Sequence, residues 1–298
     1  MAKRSGSTHN DFFVVQFEKL HFIVAFLKAF LPSNIAKALD WASLKSTPKE
    51  FISQGKGTRR ADILYEAQLS GAAAYFYIHI EHQTRPDSWM PIRMLEYILG
   101  IWTSFRRQHQ KKYADEKMKP ALELPLVFPL VVYTGTKSWN LPTDLHSMFT
   151  IPGFMKQHVP QFRYKLMDLS KLPDTQLQKT NSLVGASLLL MKHIKDPDLL
   201  EQLQTQWKKQ LFQLIQEAGI EEFNELMLYL AQQKDTEFMI KIEDLVDEFL
   251  DENEQGGIMT AARQWKLEGK QEGLQEGLQK GLQKGLQQGR QEGRQEGR

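Results

Sequence analysis

Two strand-like runs separated by a tight turn constrain this chain more than any other feature. Residues 60–69 carry Arg60-Ala61-Asp62-Ile63-Leu64-Tyr65, residues 74–83 end in Glu81-His82-Gln83, and Ser70-Gly71 lies between them. Side chains alternate along a strand, so Phe76, Ile78 and Ile80 make one apolar face while Tyr75, Tyr77, His79, Glu81 and Gln83 share the other. Paired as an antiparallel hairpin turning near Gly71, the runs place Asp62 close to opposite Glu81. Opposed or diagonal neighbours lie roughly 5 to 8 Å apart, near enough for two carboxylates to share one divalent ion. A solvated strand end, with Glu81 facing Arg60 or Arg85, is the plainer reading of the same residues.

The segments around this hairpin read as an α/β unit. Apolar residues at Phe13, Phe17, Leu20, Val24, Leu27 and Leu31 predict one helix over 12–30, capped by Asn10 or Asp11 and ended by Pro32. Glu50-Phe51-Ile52-Ser53 is expected to be the first strand. The loop Gly55-Lys56-Gly57-Thr58-Arg59-Arg60 then offers backbone freedom and cations. It fits phosphate contact or an ordinary charged surface turn, and it lacks the Gly-Lys-Ser/Thr ending of a nucleotide-binding loop. Asp87 or Ser88 is expected to cap a helix running to Lys112, with Pro91 in its first turn and with Arg93 and Tyr97 one turn apart. Arg93 suits bidentate phosphate contact or an ion pair with Glu96 or a core-edge carboxylate. The β-branched and apolar run 124–134 reads as a buried parallel strand reached by a helical crossover, with Trp139 packed over its end. Residues 162–166 are expected to extend the sheet.

Beyond Leu172 the pattern turns helical, with segments expected at 181–194, 197–218, 220–233 and 236–251. The carboxylates from Glu243 to Glu252 read as a solvated helix face. From Gly269 to Gly297 a glycine recurs every fourth residue. Each glycine costs a helix about 1 kcal/mol relative to alanine, so an isolated tail is marginal. Self-association by close helix approach and a partly disordered appendage are both open for it. The expected layout is a disordered lead over 1–8, an α/β domain over 9–170, a helical region over 171–255 and the repeat tail over 256–298.

Several function classes are excluded on composition. The chain has no cysteine, which removes disulfides, thiolate metal sites and cysteine nucleophiles and suits a reducing cytoplasm. No apolar run is long enough to span a bilayer, and the N-terminus lacks a secretory apolar region. A net charge of +2 means any nucleic-acid contact must come from a local cluster. Neither a nucleophile elbow with a Ser-His-Asp set nor His/Cys zinc spacing is present.

Asp62, Glu81-His82-Gln83, Arg93, Tyr97, Leu124-Pro125, Val131-Val132-Tyr133-Thr134-Gly135 and Trp139, in this order and spacing, resemble the Rpn family of recombination-promoting nucleases. The family, also labelled YhgA-like transposases, falls within the PD-(D/E)XK nuclease superfamily. The resemblance runs from His9 to Trp139 and continues more loosely toward Ile258. It implies an α-β-β-β-α-β core with a mixed sheet and a Mg2+-dependent endonuclease that cuts DNA and promotes recombination. The implied catalytic residues are Asp62, Glu81 and Gln83, with Asp62 and Glu81 as metal ligands beside the His82 carbonyl. Lys56, Arg59, Arg60, Arg85 and Arg93 are the candidate phosphate contacts. The superfamily usually has lysine where this chain has Gln83, although glutamine is common in the family. The family also carries aspartate and lysine where this chain has Asn10 and Val14. His82 falls on the opposite strand face from Glu81 and Gln83, which suits packing rather than proton transfer. The alternative from another class is a DNA-binding or self-associating protein that keeps the fold without catalysis. The predicted partners are DNA and, through the repeat tail, further copies of this chain, with no membrane.

Overall fold

The computed structural model describes residues 8–47, 62–70, 72–81, 86–114, 123–135, 137–180 and 182–248. The expected strand at 50–53, the lead over 1–7 and the repeat tail lie outside the described residues.

An aromatic knot sets the N-terminal helices. The single helix expected over 12–30 is instead two, α1 (Thr8–Glu18) and α2 (Leu20–Phe30), with Lys19 between them in an extended conformation (ψ 125°). Asn10 and Asp11 fall inside α1 rather than capping it. Phe17 makes ring contacts with Phe13, Phe22 and Phe26 at 4.5, 5.0 and 4.7 Å. A straight helix would turn Phe22 and Phe26 off the stripe that holds Phe13 and Phe17. The break at Lys19 lets all four bury, and it leaves Leu20 half exposed at 50%. Ring pairs of this kind add about 0.5 to 1.5 kcal/mol each beyond their area, enough to outweigh the interrupted helical hydrogen bonds. Pro32 ends α2 as expected, and a short α3 (Ser33–Ala38) follows.

The sheet has five strands in chain order: β1 (Leu39–Ser46), β2 (Asp62–Leu69), β3 (Ala72–Glu81), β4 (Leu126–Tyr133) and β5 (Lys165–Asp168). β1–β2 and β2–β3 are antiparallel, and β3–β4 and β4–β5 are parallel. The first described strand is thus Leu39–Ser46. Its register slips between Asp40 and Lys45, where the Ser43 hydroxyl accepts from Gln68 N at 2.8 Å. Ser70 turns the β2–β3 hairpin with φ of 50°, the left-handed conformation that two-residue hairpin loops need. β5 begins slightly later than the expected extension at 162–166.

Helices cover both sides. α4 (Met90–Lys112) carries Pro91 in its first turn and lays Met90, Met94, Tyr97 and Ile101 on Leu64, Val131 and Tyr133. On the other side the buried Tyr65 hydroxyl donates to the Phe17 carbonyl at 2.7 Å. Beyond the sheet come α5 (Asp174–Gln178), α6 (Ser182–His193), α7 (Leu199–Gln204) and α8 (Lys208–Ala218), so the segment expected at 197–218 is two helices.

A charged clip ties α5 to α6. Lys192 Nζ donates to Asp174 Oδ1 at 2.7 Å and to the Leu172 carbonyl at 2.6 Å. The His193 ring nitrogens lie 3.0 Å from Asp174 Oδ1 and 2.6 Å from Asp196 Oδ2. Partial burial pushes the Asp174 carboxyl up, but the hydrogen bonds from Lys192 and His193 outweigh it and hold the carboxyl below its ordinary value. A depressed carboxylate contributes stability that is present above its unfolded value near 4 and lost as pH falls through the folded value. Asp174→Asn should therefore flatten the fall in melting temperature below about pH 4. A variant falling as steeply as wild type would remove the clip from the acid transition.

The chain divides into two compact units, the first ending at Glu217 and the second beginning at Ala218. The described part of the second is a helical pair, α9 (Ile220–Gln233) and α10 (Thr236–Asp247), with Asp235 Oδ1 capping Phe238 N at 2.8 Å.

Candidate active site

The first unit gathers its acidic positions where β3, β4 and β5 all end. Parallel pairing sets Glu81 beside Tyr133 and Tyr133 beside Asp168. Asp62, the first residue of β2, pairs with His79. His79 stands opposite Asp62, and Glu81 is its diagonal neighbour two residues further along, the second of the two placements expected for the hairpin. The Ser70-Gly71 turn sets this offset, because Leu69 pairs with Ala72 and every later pair follows from it. Paired residues share a sheet face, and so do residues two apart on one strand. Asp62, His79, Glu81, Tyr133 and Asp168 therefore occupy one face, the face that α4 crosses. Diagonal neighbours are about 7 to 8 Å apart, within the span of two carboxylates on one ion.

The wall beside Glu81 is built by a residue that the sequence reading did not single out. Asp168 is buried, and both its oxygens are engaged: Oδ2 accepts from Trp139 N at 2.9 Å, and Oδ1 accepts from Ser170 N and Oγ at 3.0 and 2.7 Å. Lys171 Nζ stands 3.8 Å from Asp168 Oδ2 and donates to the Trp139 carbonyl at 2.7 Å. Both backbone polar groups of Trp139 are thus held, and its ring meets Tyr133 edge-on at 5.0 Å. Trp139 packs over the end of β4 as the sequence predicted. Asp168 is a positioning residue whose carboxylate is already spent on this clamp. Its one sequence signal is Asp168-x-Ser170 after a strand, a local turn pattern.

Arg93 lies in the first turn of α4, the helix that crosses this face. Its Nη1 meets Asp87 Oδ2 at 2.5 Å, with both side chains mostly buried, while Asp87 Oδ1 accepts from Trp89 N at 2.8 Å. Its ion-pair partner is therefore Asp87, six residues back and ahead of the helix, rather than Glu96. One of its five donors is committed there. Arg93→Ala would leave the mostly buried Asp87 carboxylate without that partner, and the urea midpoint should fall by the equivalent of about 2 kcal/mol. An unchanged midpoint would mean the pair is structurally idle. Burial pushes the Tyr164 phenol beside this corner well above its ordinary value.

The sheet register sets Asp62, His79 and Glu81 at neighbouring positions on one face, and Arg93 lies on the helix that crosses that face. Lys56, Arg59, Arg60, His82, Gln83 and Arg85 lie outside the described residues. Among the described residues, no group of three or more His, Asp or Glu side chains could hold a metal ion. No helix among the described residues is long and apolar enough to cross a membrane.

Fold and site together define a mixed α/β protein with acidic positions at the carboxyl ends of its parallel strands. Residues 7–222 match the family described as "Putative transposase, YhgA-like", and the chain belongs to that family. It is 31% identical to recombination-promoting nuclease RpnC of Escherichia coli K12, over 82% of this chain and 76% of that protein. It is 26% identical to recombination-promoting nuclease RpnD of Escherichia coli O157:H7, over 59% of this chain and 63% of that protein. It is 28% identical to the inactive recombination-promoting nuclease-like protein RpnE of Escherichia coli K12, over 59% of this chain and 54% of that protein. The chain thus spans less than two thirds of the last two. No solved structure matches it.

Proposed function

We propose that this chain is a metal-dependent DNA endonuclease of the PD-(D/E)XK type that promotes recombination. One observation carries the reading: the hairpin register sets Asp62 and Glu81 as diagonal neighbours on one face, within an α-β-β-β-α-β succession. The names of its relatives RpnC and RpnD support it.

The donor set fits a hard cation. Two carboxylates, with a backbone carbonyl at His82, leave room for the several waters that Mg2+ retains. Bound there, Mg2+ would polarise the phosphate and lower the pKa of an attacking water. The chain's own residues supply the rest. Gln83 would hydrogen-bond water or phosphate through its amide, without the positive charge a lysine brings. Arg60, Arg85 and Arg93 would offset the charge developing on the phosphate, and Lys56 and Arg59 would hold the flanking backbone. A cytoplasmic location and self-association through the repeat tail belong to this proposal.

A second reading has its own support. RpnE is named inactive, and Gln83, Asn10 and Val14 depart from the superfamily or family pattern. On that reading the fold binds DNA without cutting it. Supercoiled plasmid incubated with wild type in Mg2+ or in EDTA separates the two. Nicking in Mg2+ alone, lost in Glu81→Ala, is the expected result. Binding without nicking would favour the second reading.

A further inference from the structure

Between β4 and β5 the chain makes a long excursion with its own charge and aromatic character. Residues 137–165, the excursion with the first residue of β5, carry Lys137, Lys156, Arg163 and Lys165 against the single carboxylate Asp144. This segment is thus net +3 in a chain whose total is +2. Such local concentration is the electrostatic footprint of a polyanion contact. The excursion is braced at its base. Leu145 N donates to the Phe162 carbonyl at 2.9 Å, Tyr164 N to the Thr143 carbonyl at 3.1 Å, and the His146 ring nitrogen Nε2 lies 3.1 Å from the Val159 carbonyl. Asp144 is occupied locally, accepting from Ser147 N and Oγ at 3.0 and 2.7 Å.

Two features on this frame suit a ligand. Phe154 is 78% exposed and Phe149 50% exposed, which leaves ring surface open to a flat partner. The same frame holds an open cavity of about 450 Å3 lined by Asp144, His146, Gln161, Phe162 and Arg163. Its size is that of a small-ligand site, and its lining offers a cation, an amide, an imidazole and an aromatic ring, together with the Asp144 carboxylate, whose charge Arg163 offsets. Exposed aromatics among cations form the platform on which unpaired bases stack while phosphates meet Lys and Arg. A blunt duplex hides its base faces and cannot use Phe149 or Phe154 in this way. The excursion leaves β4 just after Tyr133 and returns into β5 just before Asp168, so it is rooted beside the acidic row.

We infer that residues 143–165 bind an unpaired DNA strand, with Phe149 and Phe154 stacking on bases, Lys156, Arg163 and Lys165 meeting phosphates, and the cavity taking one unstacked nucleotide. The inference rests on the nuclease reading and names its substrate class as DNA with a single-stranded stretch beside the cut.

The test is fluorescence anisotropy of the full chain in EDTA, with a labelled oligonucleotide either single-stranded or annealed to its complement. Wild type should bind the single strand more tightly. Phe154→Ala should weaken that binding about fivefold or more and leave duplex binding unchanged. Lys156→Ala should reduce the salt slope by about 0.7. Arg163→Ala should weaken single-strand binding and Arg163→Lys should largely restore it, which separates charge from folding. Unchanged single-strand binding by Phe154→Ala and Arg163→Ala, with plasmid still cut by wild type, would overturn the inference and leave the nuclease reading standing. A wild type that neither binds DNA nor cuts it would remove both. If Phe154→Ala alters sedimentation while DNA binding is intact, the surface is a contact between copies and the inference fails.

Discussion

Asp62→Ala is expected to lower Mg2+-dependent plasmid cleavage about a thousandfold or more without unfolding the protein. A metal-held phosphoryl transition state draws several kcal/mol from the ion, and each 1.36 kcal/mol is a factor of ten in rate. With Asp62 gone, Glu81 would be left as the chain's one carboxylate donor to that ion. Asp62 is the first residue of β2, so the ladder from Ile63 to Leu69 keeps its pairing and the core keeps its side chains. Asp62→Asn preserves shape and removes charge, and it should lose activity to a similar degree. Two readouts belong together: cleavage rate, and the heat of Mg2+ binding, which should vanish in Asp62→Ala. Cleavage by Asp62→Ala at the wild-type rate would place the chemistry elsewhere.

The second large effect concerns stability. Asp168→Ala should lower the melting temperature by about 10 °C, the equivalent of roughly 4 kcal/mol. The substitution strips acceptors from Trp139 N, Ser170 N and Ser170 Oγ, and it leaves Lys171 without its acidic neighbour. A buried N–H left unsatisfied costs more than the hydrogen bond was worth. Asp168→Asn keeps one acceptor oxygen but turns an amide toward the remaining donors, so it should fall between. The Trp139–Tyr133 contact should loosen along with the clamp, and a double-mutant cycle between Asp168→Ala and Trp139→Phe should show coupling. A melting temperature close to wild type would mean that the clamp is dispensable.

Much of this molecule is legible from local pattern. The β3 sequence alternates from Phe76 to Glu81, β4 is dense in β-branched and apolar residues, and α9 runs from Ile220 to Gln233 as its periodicity predicts. What the sequence hides depends on partners brought from afar. β1, Leu-Asp-Trp-Ala-Ser-Leu-Lys-Ser, has no β-branched residue, and its register slip breaks the two-residue period that would have marked it. The α1–α2 break has no proline or glycine to announce it, because ring packing around Phe17 decides it. Asp62 and Glu81 were legible as neighbours, but their offset of two residues follows from the turn length. Arg93 was legible as a charged residue on the helix that crosses the sheet, whereas Asp87 is its partner because the chain ahead of α4 brings the two together. Asp168 acquires its role once β5 has closed against β4 and delivered it to Trp139.

The mixed direction of the sheet also orders events in time. The β2–β3 hairpin closes through a two-residue turn, a local step on a scale of about 1 to 10 μs. The β3–β4 pairing waits for the whole crossover through α4, and β5 waits for the excursion after it. Nonlocal closures of this kind are the slow ones. On the ribosome, where N-terminal segments emerge first, the hairpin bearing Asp62 and Glu81 is made well before Asp168 leaves the exit tunnel. The two acidic positions meet early, and the clamp that fixes Trp139 at the end of the parallel strands arrives later.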